Sequence, residues 1–206
     1  MKKRNKKVAA PLEEFMNAQS DEYRKLLLTA LFEPSDTCSL EASAETKNYL
    51  VLSALENVAT SLRFWKLVEG EGFVLERQEQ APMGMAPSVS AVNAEEGDAI
   101  WMTSEGYTQP TTLAIAEASA PDEQEPLKAL PSFFDATGLK AQQHYATSED
   151  GTKVPYFLVC KEDLPLDGST PTLLYGYGGF EVGLVPLRVS IITICDDASL
   201  TGGWAE

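Results

Sequence analysis

From about residue 46 to residue 115 the chain is written in short apolar runs, partly alternating with polar residues and interrupted by turn formers. The runs at 47–55, 62–68, 73–77, 89–92, 99–103 and 111–115 are rich in Val, Leu, Ile, Thr and aromatic residues, and each reads as a strand. Gly70-Glu-Gly72, the Pro/Gly/Met stretch around 82–87, Glu95-Glu-Gly-Asp98 and the 106–110 segment supply the turns. Short strands at roughly 8–12-residue spacing predict a sandwich, barrel or propeller, here in two groups of three or four strands. No repeat motif is tight enough to choose among them. Ahead of the strands, Ser20-Asp-Glu-Tyr-Arg-Lys-Leu-Leu-Leu-Thr-Ala-Leu31 has an N-cap serine, acids in the first turn and clustered leucines, which predicts one short helix ended by Glu33-Pro34. The acidic stretch 117–126 contains two prolines and no apolar period, and is expected to be a surface loop.

After residue 142 the pattern changes. Two strand-like runs, 142–147 and 153–160, flank Ser148-Glu-Asp-Gly151, whose Asp-Gly pair signals a hairpin. Beyond a further loop, residues 172–175 form a short apolar run between Pro171 and Gly176-Tyr-Gly-Gly179, which reads as a buried strand. Glycines at its end admit positive φ and close approach of a ligand. Tyr177 and Phe180 are then carried on a loop at a strand end, where open α/β sheets bind ligands. A tight turn with the tyrosines as packing accounts for the same residues. A phosphate-binding loop does not: the next required glycine falls on Glu181, and no G-x-x-x-x-G-K-[ST] occurs.

Composition narrows the partners. The chain has 206 residues, 44% of them hydrophobic, and a net charge of −15. Five of its 16 basic residues lie in the first seven, so the rest carries 11 basic against 31 acidic groups, a net of −20. Such a surface repels phosphate backbones, so no nucleic-acid partner is expected, while basic or neutral peptides are tolerated. The basic start is read as a solvated terminus rather than a localisation signal. No apolar h-region follows it and no apolar run reaches membrane-spanning length, so neither a secretory signal nor a membrane partner is expected. Cys38, Cys160 and Cys195 lack metal-ligand spacing and form no disulfide framework, which fits a reducing, cytoplasmic setting. Asp122, Glu123 and Glu125 could gather a cation but are read as solvated; no metal or other cofactor is expected.

Several ordered segments carry a resemblance. Leu130-Pro-Ser-Phe-Phe-Asp-Ala-Thr-Gly138, Tyr145-Ala-Thr-Ser-Glu-Asp-Gly-Thr-Lys-Val-Pro-Tyr-Phe157, Leu166-Asp-Gly-Ser-Thr-Pro-Thr-Leu173 and Leu174-Tyr-Gly-Tyr-Gly-Gly-Phe180 together resemble the prolyl oligopeptidase family of serine peptidases. The related oligopeptidase B group carries a different pair after Tyr-Gly-Tyr-Gly, so Gly179-Phe180 favours the proline-cleaving branch. The resemblance implies a mixed, β-rich chain: an N-terminal segment over 1–45, the C-terminal part of a β-propeller over 46–136 (about two blades), and the first strands of an α/β-hydrolase domain over 137–206. It implies that the Tyr177 hydroxyl donates to the oxyanion and that Phe180 lines the pocket for the substrate proline, with proline-containing oligopeptides as substrates.

The rest of the serine-peptidase machinery is missing from the chain. No G-x-S-x-G occurs, and Gly168-Ser-Thr170 is followed by Pro171, a loop serine. The single histidine, His144, precedes the glycine loop, whereas the hydrolase triad runs Ser, Asp, His after it; His144 is read as structural or surface. After about Pro186 the family continues into a Gly-rich Asn-Ile-Arg-Gly-Gly-Gly run that residues 187–206 do not match. The sequence is therefore expected to be a piece of such an enzyme, inactive alone, with a tail from a frameshift, intron read-through or truncated gene. The alternative is a non-catalytic propeller-derived binding module or an inert product.

Overall fold

Strand formers fill the chain, and strands fill the structure. The computed structural model describes residues 6–132, 134–174, Gly176 and the backbone of Thr193–Cys195. Strand β1 (Lys7–Ala9) is followed by two short helices, α1 (Leu12–Asn17) and α2 (Asp21–Leu27), and by β2 (Thr29–Phe32), which pairs antiparallel with β1. Next come β3 (Cys38–Glu45), β4 (Tyr49–Glu56), β5 (Ala59–Val68) and β6 (Gly72–Gln80), an antiparallel sheet in sequence order. A second four-stranded sheet, again in sequence order, contains β7 (Met85–Ala91), β8 (Ala99–Gly106), β9 (Thr112–Glu117) and β10 (Ala120–Ala129). The third contains β11 (Leu139–Thr147), β12 (Lys153–Lys161), β13 (Thr172–Leu173) and β14 (Thr193–Cys195), in the order β11-β12-β14-β13. The chain divides into two compact units: Met1–Ala81 with Pro87–Thr103 and Leu113–Lys128, and Pro82–Ala86 with Ser104–Thr112 and Ala129–Glu206.

In the first unit, β4 is buried on both faces, and its period of two sends alternate side chains to two different cores. Tyr49 and Val51, with Leu62 and Phe64 of β5, pack against Ile100 and Met102 of β8 and against Ala116 and Ala118. Leu50, Leu52 and Ala54 pack the other way, against Leu31 and Phe32 of β2. Each such large apolar side chain contributes about 1.5–3 kcal/mol when fully buried. The Arg63 guanidinium lies 5.3 Å from the centre of the Phe32 ring.

This packing corrects the helix expected over 20–31. Ser20 does cap it, its hydroxyl accepting from the Tyr23 amide at 3.2 Å. The helix stops at Leu27, however, because Leu31 and Phe32 are drawn into a strand beneath β4, while Leu26 stays 78% exposed. Burial of two large side chains outweighs a few tenths of a kcal/mol of helix propensity per residue. The expected loop at 117–126 is corrected too: most of it belongs to β10, where ladder hydrogen bonds override the acidic, proline-bearing composition. A two-residue connection from β9 to β10 can only join antiparallel neighbours. The β3 strand has no counterpart in the expected elements; its Cys-Ser-Leu-Glu-Ala-Ser-Ala-Glu sequence is poor in strand formers, and β4 recruits it as a neighbour.

One carboxylate ties the turns of the two sheets together. Asp98, just before β8, accepts from the Thr46 hydroxyl and from both the backbone and side-chain amides of Asn48, each at 2.7 Å. The Lys47 amide donates to the Gly97 carbonyl at 3.1 Å, and the Ala118 amide to the Asp98 carbonyl at 2.9 Å. Partial burial opposes the Asp98 charge, but the hydrogen bonds from Asn48 and Thr46, helped by the nearby Lys47 ammonium, hold its carboxyl below the usual aspartate range. The β4–β5 connection is a two-residue turn, Asn57-Val58, with both φ angles positive (49° and 65°). That is the geometry of a type I′ hairpin turn, which suits Asn57 but strains a β-branched residue at position 58.

Two outcomes are expected. Asp98→Ala should cost about 1–2 kcal/mol of stability near neutral pH, the lower part of the range for charged hydrogen bonds because the site is only partly buried. Since the native pKa is depressed, that contribution is present above the ordinary aspartate range and lost as pH falls through the native value. The gap between wild type and variant in urea melts should therefore close in acid. Val58→Gly should raise the melting midpoint, the relief of about 1–2 kcal/mol of left-handed strain exceeding the entropy cost of glycine.

Candidate functional site

The hairpin expected around residues 148–151 is present. β11 and β12 pair antiparallel without a break from Leu139↔Lys161 to Thr147↔Lys153. At the turn, Gly151 takes a φ of +86°, and Asp150 accepts from the Ser148 hydroxyl and from the Thr152 amide. Those bonds, the Ser148 one first, hold the Asp150 carboxyl down at about 2. At the open end, the Glu162 amide donates to the Gly138 carbonyl at 2.9 Å and closes the hairpin base. Phe157, Val159 and Cys160 of β12 are buried.

Phe157 meets Tyr107, ring centres 5.4 Å apart and tilted by 56°. Burial pushes the Tyr107 phenol up to about 12, so it stays neutral. Around this pair the backbone is crowded: Gly84 has a φ of +75°, and a Cβ there would stand 2.7 Å from the Ala141 Cβ and 3.3 Å from the Tyr107 ring. Sequence reading missed this contact. Its one local signal is a glycine directly before an aromatic at Gly106-Tyr107, and the partner lies fifty residues away.

From β12 the chain runs through an exposed loop toward the glycine-rich segment. Asp167 organises it, accepting from the Ser169 amide at 2.9 Å and the Ser169 hydroxyl at 2.6 Å. Ser169 is thus a turn residue whose proton is directed at a carboxylate, with no imidazole in the arrangement. The Thr172 hydroxyl donates to the Thr170 carbonyl at 3.1 Å, and β13 follows at once. The strand expected at 172–175 does lie in a sheet, but it is not buried: it comprises Thr172 and Leu173, both exposed, with Leu173 at 52%. Among the described strands it occupies the sheet edge. Tyr177 and Phe180 lie outside the described residues.

His144 sits within β11, opposite Tyr156 in register and stacked on its ring at 5.6 Å. Its Nε2 is buried without a hydrogen-bond partner in the described structure. Asp122 is engaged by the Arg77 guanidinium, which also pairs with Glu79. Among the described residues no group of three His, Cys, Asp or Glu is placed to hold a metal. A cleft of about 270 Å³ in the first unit is lined by Lys7, Glu45, Asn48, Tyr49 and Phe73 among others. Lys7 there is answered by Ser43 and Glu45.

The crowding at Gly84 predicts that Gly84→Ala costs about 2–3 kcal/mol, from left-handed strain and from the shift forced on Ala141. A denaturant melt reads it directly, and Gly97→Ala, which meets open space at a φ outside the left-handed region, is the neutral control.

Comparison with known proteins gives this geometry a setting. No family model matches the chain. A peptidase of Sinorhizobium fredii is 42% identical over 164 residues, covering 79% of this chain and 22% of its own length. A prolyl endopeptidase of Elizabethkingia meningoseptica is 43% identical over 53 residues, 26% of this chain and 8% of its own. Among solved structures, a post-proline cleaving enzyme from Rickettsia typhi matches with a TM-score of 0.65 at 30% identity, over 90% of this chain and 26% of that one. The chain thus spans about a quarter of the length of the relatives it matches. Over most of its length, this β-rich chain is homologous to peptidases of the prolyl oligopeptidase type.

Proposed function

We propose that the chain is a piece of a cytoplasmic serine endopeptidase that cleaves oligopeptides on the carboxyl side of proline, and that it is inactive alone. The observation that carries this reading is the match to the Rickettsia typhi post-proline cleaving enzyme over 90% of the chain. In this reading β4–β6 and β7–β10 are the strands of about two propeller blades within 46–136, β3 (Cys38–Glu45) joins the first of them from the N-terminal segment over 1–45, and residues 137–206 begin an α/β-hydrolase domain. Two four-stranded sheets in sequence order suit blades. A parallel β12–β14 pair suits an α/β sheet, since parallel neighbours require a crossover connection.

The chemistry assigned to the chain is a single contribution to acyl transfer. Tyr177 donates its hydroxyl to the oxyanion that forms when a serine attacks the scissile carbonyl; being neutral at pH 7, it does so without changing protonation state. Phe180 offers a flat apolar face to the substrate's pyrrolidine ring. The serine nucleophile, the histidine base and the aspartate that orients it come from sequence this chain does not contain. An oxyanion donor without nucleophile and base offers no covalent route, hence no turnover. Free thiols at Cys38 and Cys160 accord with a reducing compartment. The strongly acidic surface accords with peptide rather than nucleic-acid partners, and no membrane partner is assigned.

A second reading has one observation in its favour. The first unit closes its own core on both faces of β4, which suits a self-standing, non-catalytic binding module. The purified chain should fail to hydrolyse a proline-linked reporter under either reading, and turnover that vanishes in Tyr177→Phe would overturn both. Reading the downstream DNA separates them. The peptidase reading requires, in some frame, a Gly-x-Ser-x-Gly elbow followed by Asp and His. In the chain extended through that frame, Tyr177→Phe should lower kcat about 10²–10³-fold. No such coding sequence, together with a soluble chain and a single cooperative melt, would leave the binding module.

A further inference from the structure

Strands β6 and β10, each at the edge of its own sheet in the first unit, meet in a cluster of charge. Arg77 and Glu79 lie two residues apart on β6, opposite Phe64 and Leu62 of β5 in register, and so share a face with that apolar pair. The Arg77 guanidinium donates through Nη2 to Oδ1 of Asp122 on β10. Its Nε touches Glu79 Oε1 as well, but that oxygen is buried and accepts no hydrogen bond among the described residues. A buried carboxyl oxygen without a donor disfavours the ionised form. The Asp122 side chain is 64% exposed against 27% for Glu79, so the proton belongs on Glu79. The two carboxyls also lie within hydrogen-bond reach of each other. Ionised carboxylates only accept, so a bond between them requires a proton on one.

We propose that Glu79 and Asp122 share one proton, carried on Glu79 and donated to Asp122, which makes this corner an acid-tightened clasp between β6 and β10. Among the described residues, Arg77 and Asp122 are the charged groups that face Glu79. Its register partner Leu62 is apolar, and the flanking Gln78 and Gln80 send neutral amides to the Ser61 hydroxyl and the Thr60 carbonyl. Glu76 and Lys66, farther along the sheet, pair with each other, and Glu76 also accepts from the Tyr49 hydroxyl. Burial first, then the Asp122 carboxylate, raises the Glu79 carboxyl against the opposing pull of Arg77, while the Arg77 hydrogen bond holds Asp122 down. Glu79 therefore contributes stability while protonated and loses it as pH rises through its raised value. Asp122 contributes while ionised and loses it as pH falls through its lowered value. Between the two, one proton serves both carboxyls. The clasp lies within the first unit and does not rest on the peptidase reading.

Glu79→Gln tests it, because a glutamine amide imitates the protonated carboxyl and can donate to Asp122 at any pH. In denaturant melts of the 206-residue chain, the variant's midpoint should coincide with wild type below the ordinary glutamate range. At neutral pH, where wild type has lost the shared proton, the variant's midpoint should lie higher. An ordinary Arg77–Glu79 ion pair gives the opposite sign, so a lower midpoint at neutral pH overturns the proposal, as do equal midpoints throughout. Carbon-13 titration of the side-chain carboxyls supplies a second measurement. Glu79 should titrate above its ordinary range and Asp122 below, and Asp122→Asn should lower the Glu79 midpoint by about one pH unit, the coupling of carboxyls that titrate as a pair. A Glu79 midpoint that Asp122→Asn leaves in place sinks the shared proton.

Discussion

Double-sided burial of one strand is the constraint on which the first unit depends. Along most of its length β4 has no solvent face to give away: Tyr49 and Val51 belong to the core shared with β8 and β9, Leu50, Leu52 and Ala54 to the core closed by β2. A slip of one residue in register would exchange the two sets and misfit both cores at once. That is why β4 has a partner on each side in its own sheet and apolar cover above and below. It is also why the leucine-rich stretch before it gives up the end of a helix to place Leu31 and Phe32 beneath it. Local preference yields because the apolar area at stake is larger.

Polar groups then set how the sheets meet within that unit. Asp98 is one acceptor serving three donors from the β3–β4 turn, and the neighbouring backbone bonds bring the β9–β10 turn to the same place. Arg77 of β6 performs a related task, pairing with Asp122 of β10 and holding that carboxyl below its ordinary range, while burial pushes Glu79 up. Exposed pairs of this kind add little stability each, but they select which strands lie opposite one another. The large acidic excess is thus partly structural: Asp98, Asp122, Asp150 and Asp167 are each committed to a turn or a cross-strand contact.

The second unit has a different logic. Its hairpin is locally coded, but the sheet grows by a parallel strand that arrives from far along the chain. Parallel neighbours require a crossover connection, and α/β proteins place ligands at the strand ends where such connections begin.

What the residues determine without any tertiary context is local. Alternating apolar runs predict β4, β5, β8, β9 and β12; Asp150-Gly151 predicts the hairpin turn; Ser20 predicts a helix start. Each of these is set within a few residues, by side-chain period or by the φ a glycine allows. The ordered motifs from Leu130 to Phe180 carry the family resemblance in the same direct way, and Tyr177 and Phe180 are legible only through it. Tertiary structure alone decided the rest. It turned the acidic 120–129 stretch into a strand, ended the helix at Leu27, left β13 exposed at an edge, and joined Tyr107 to Phe157 and Asp98 to Thr46 and Asn48. In every such case the stabilising partner lies far away in sequence, so the energy that settles the conformation is absent from any local window of residues.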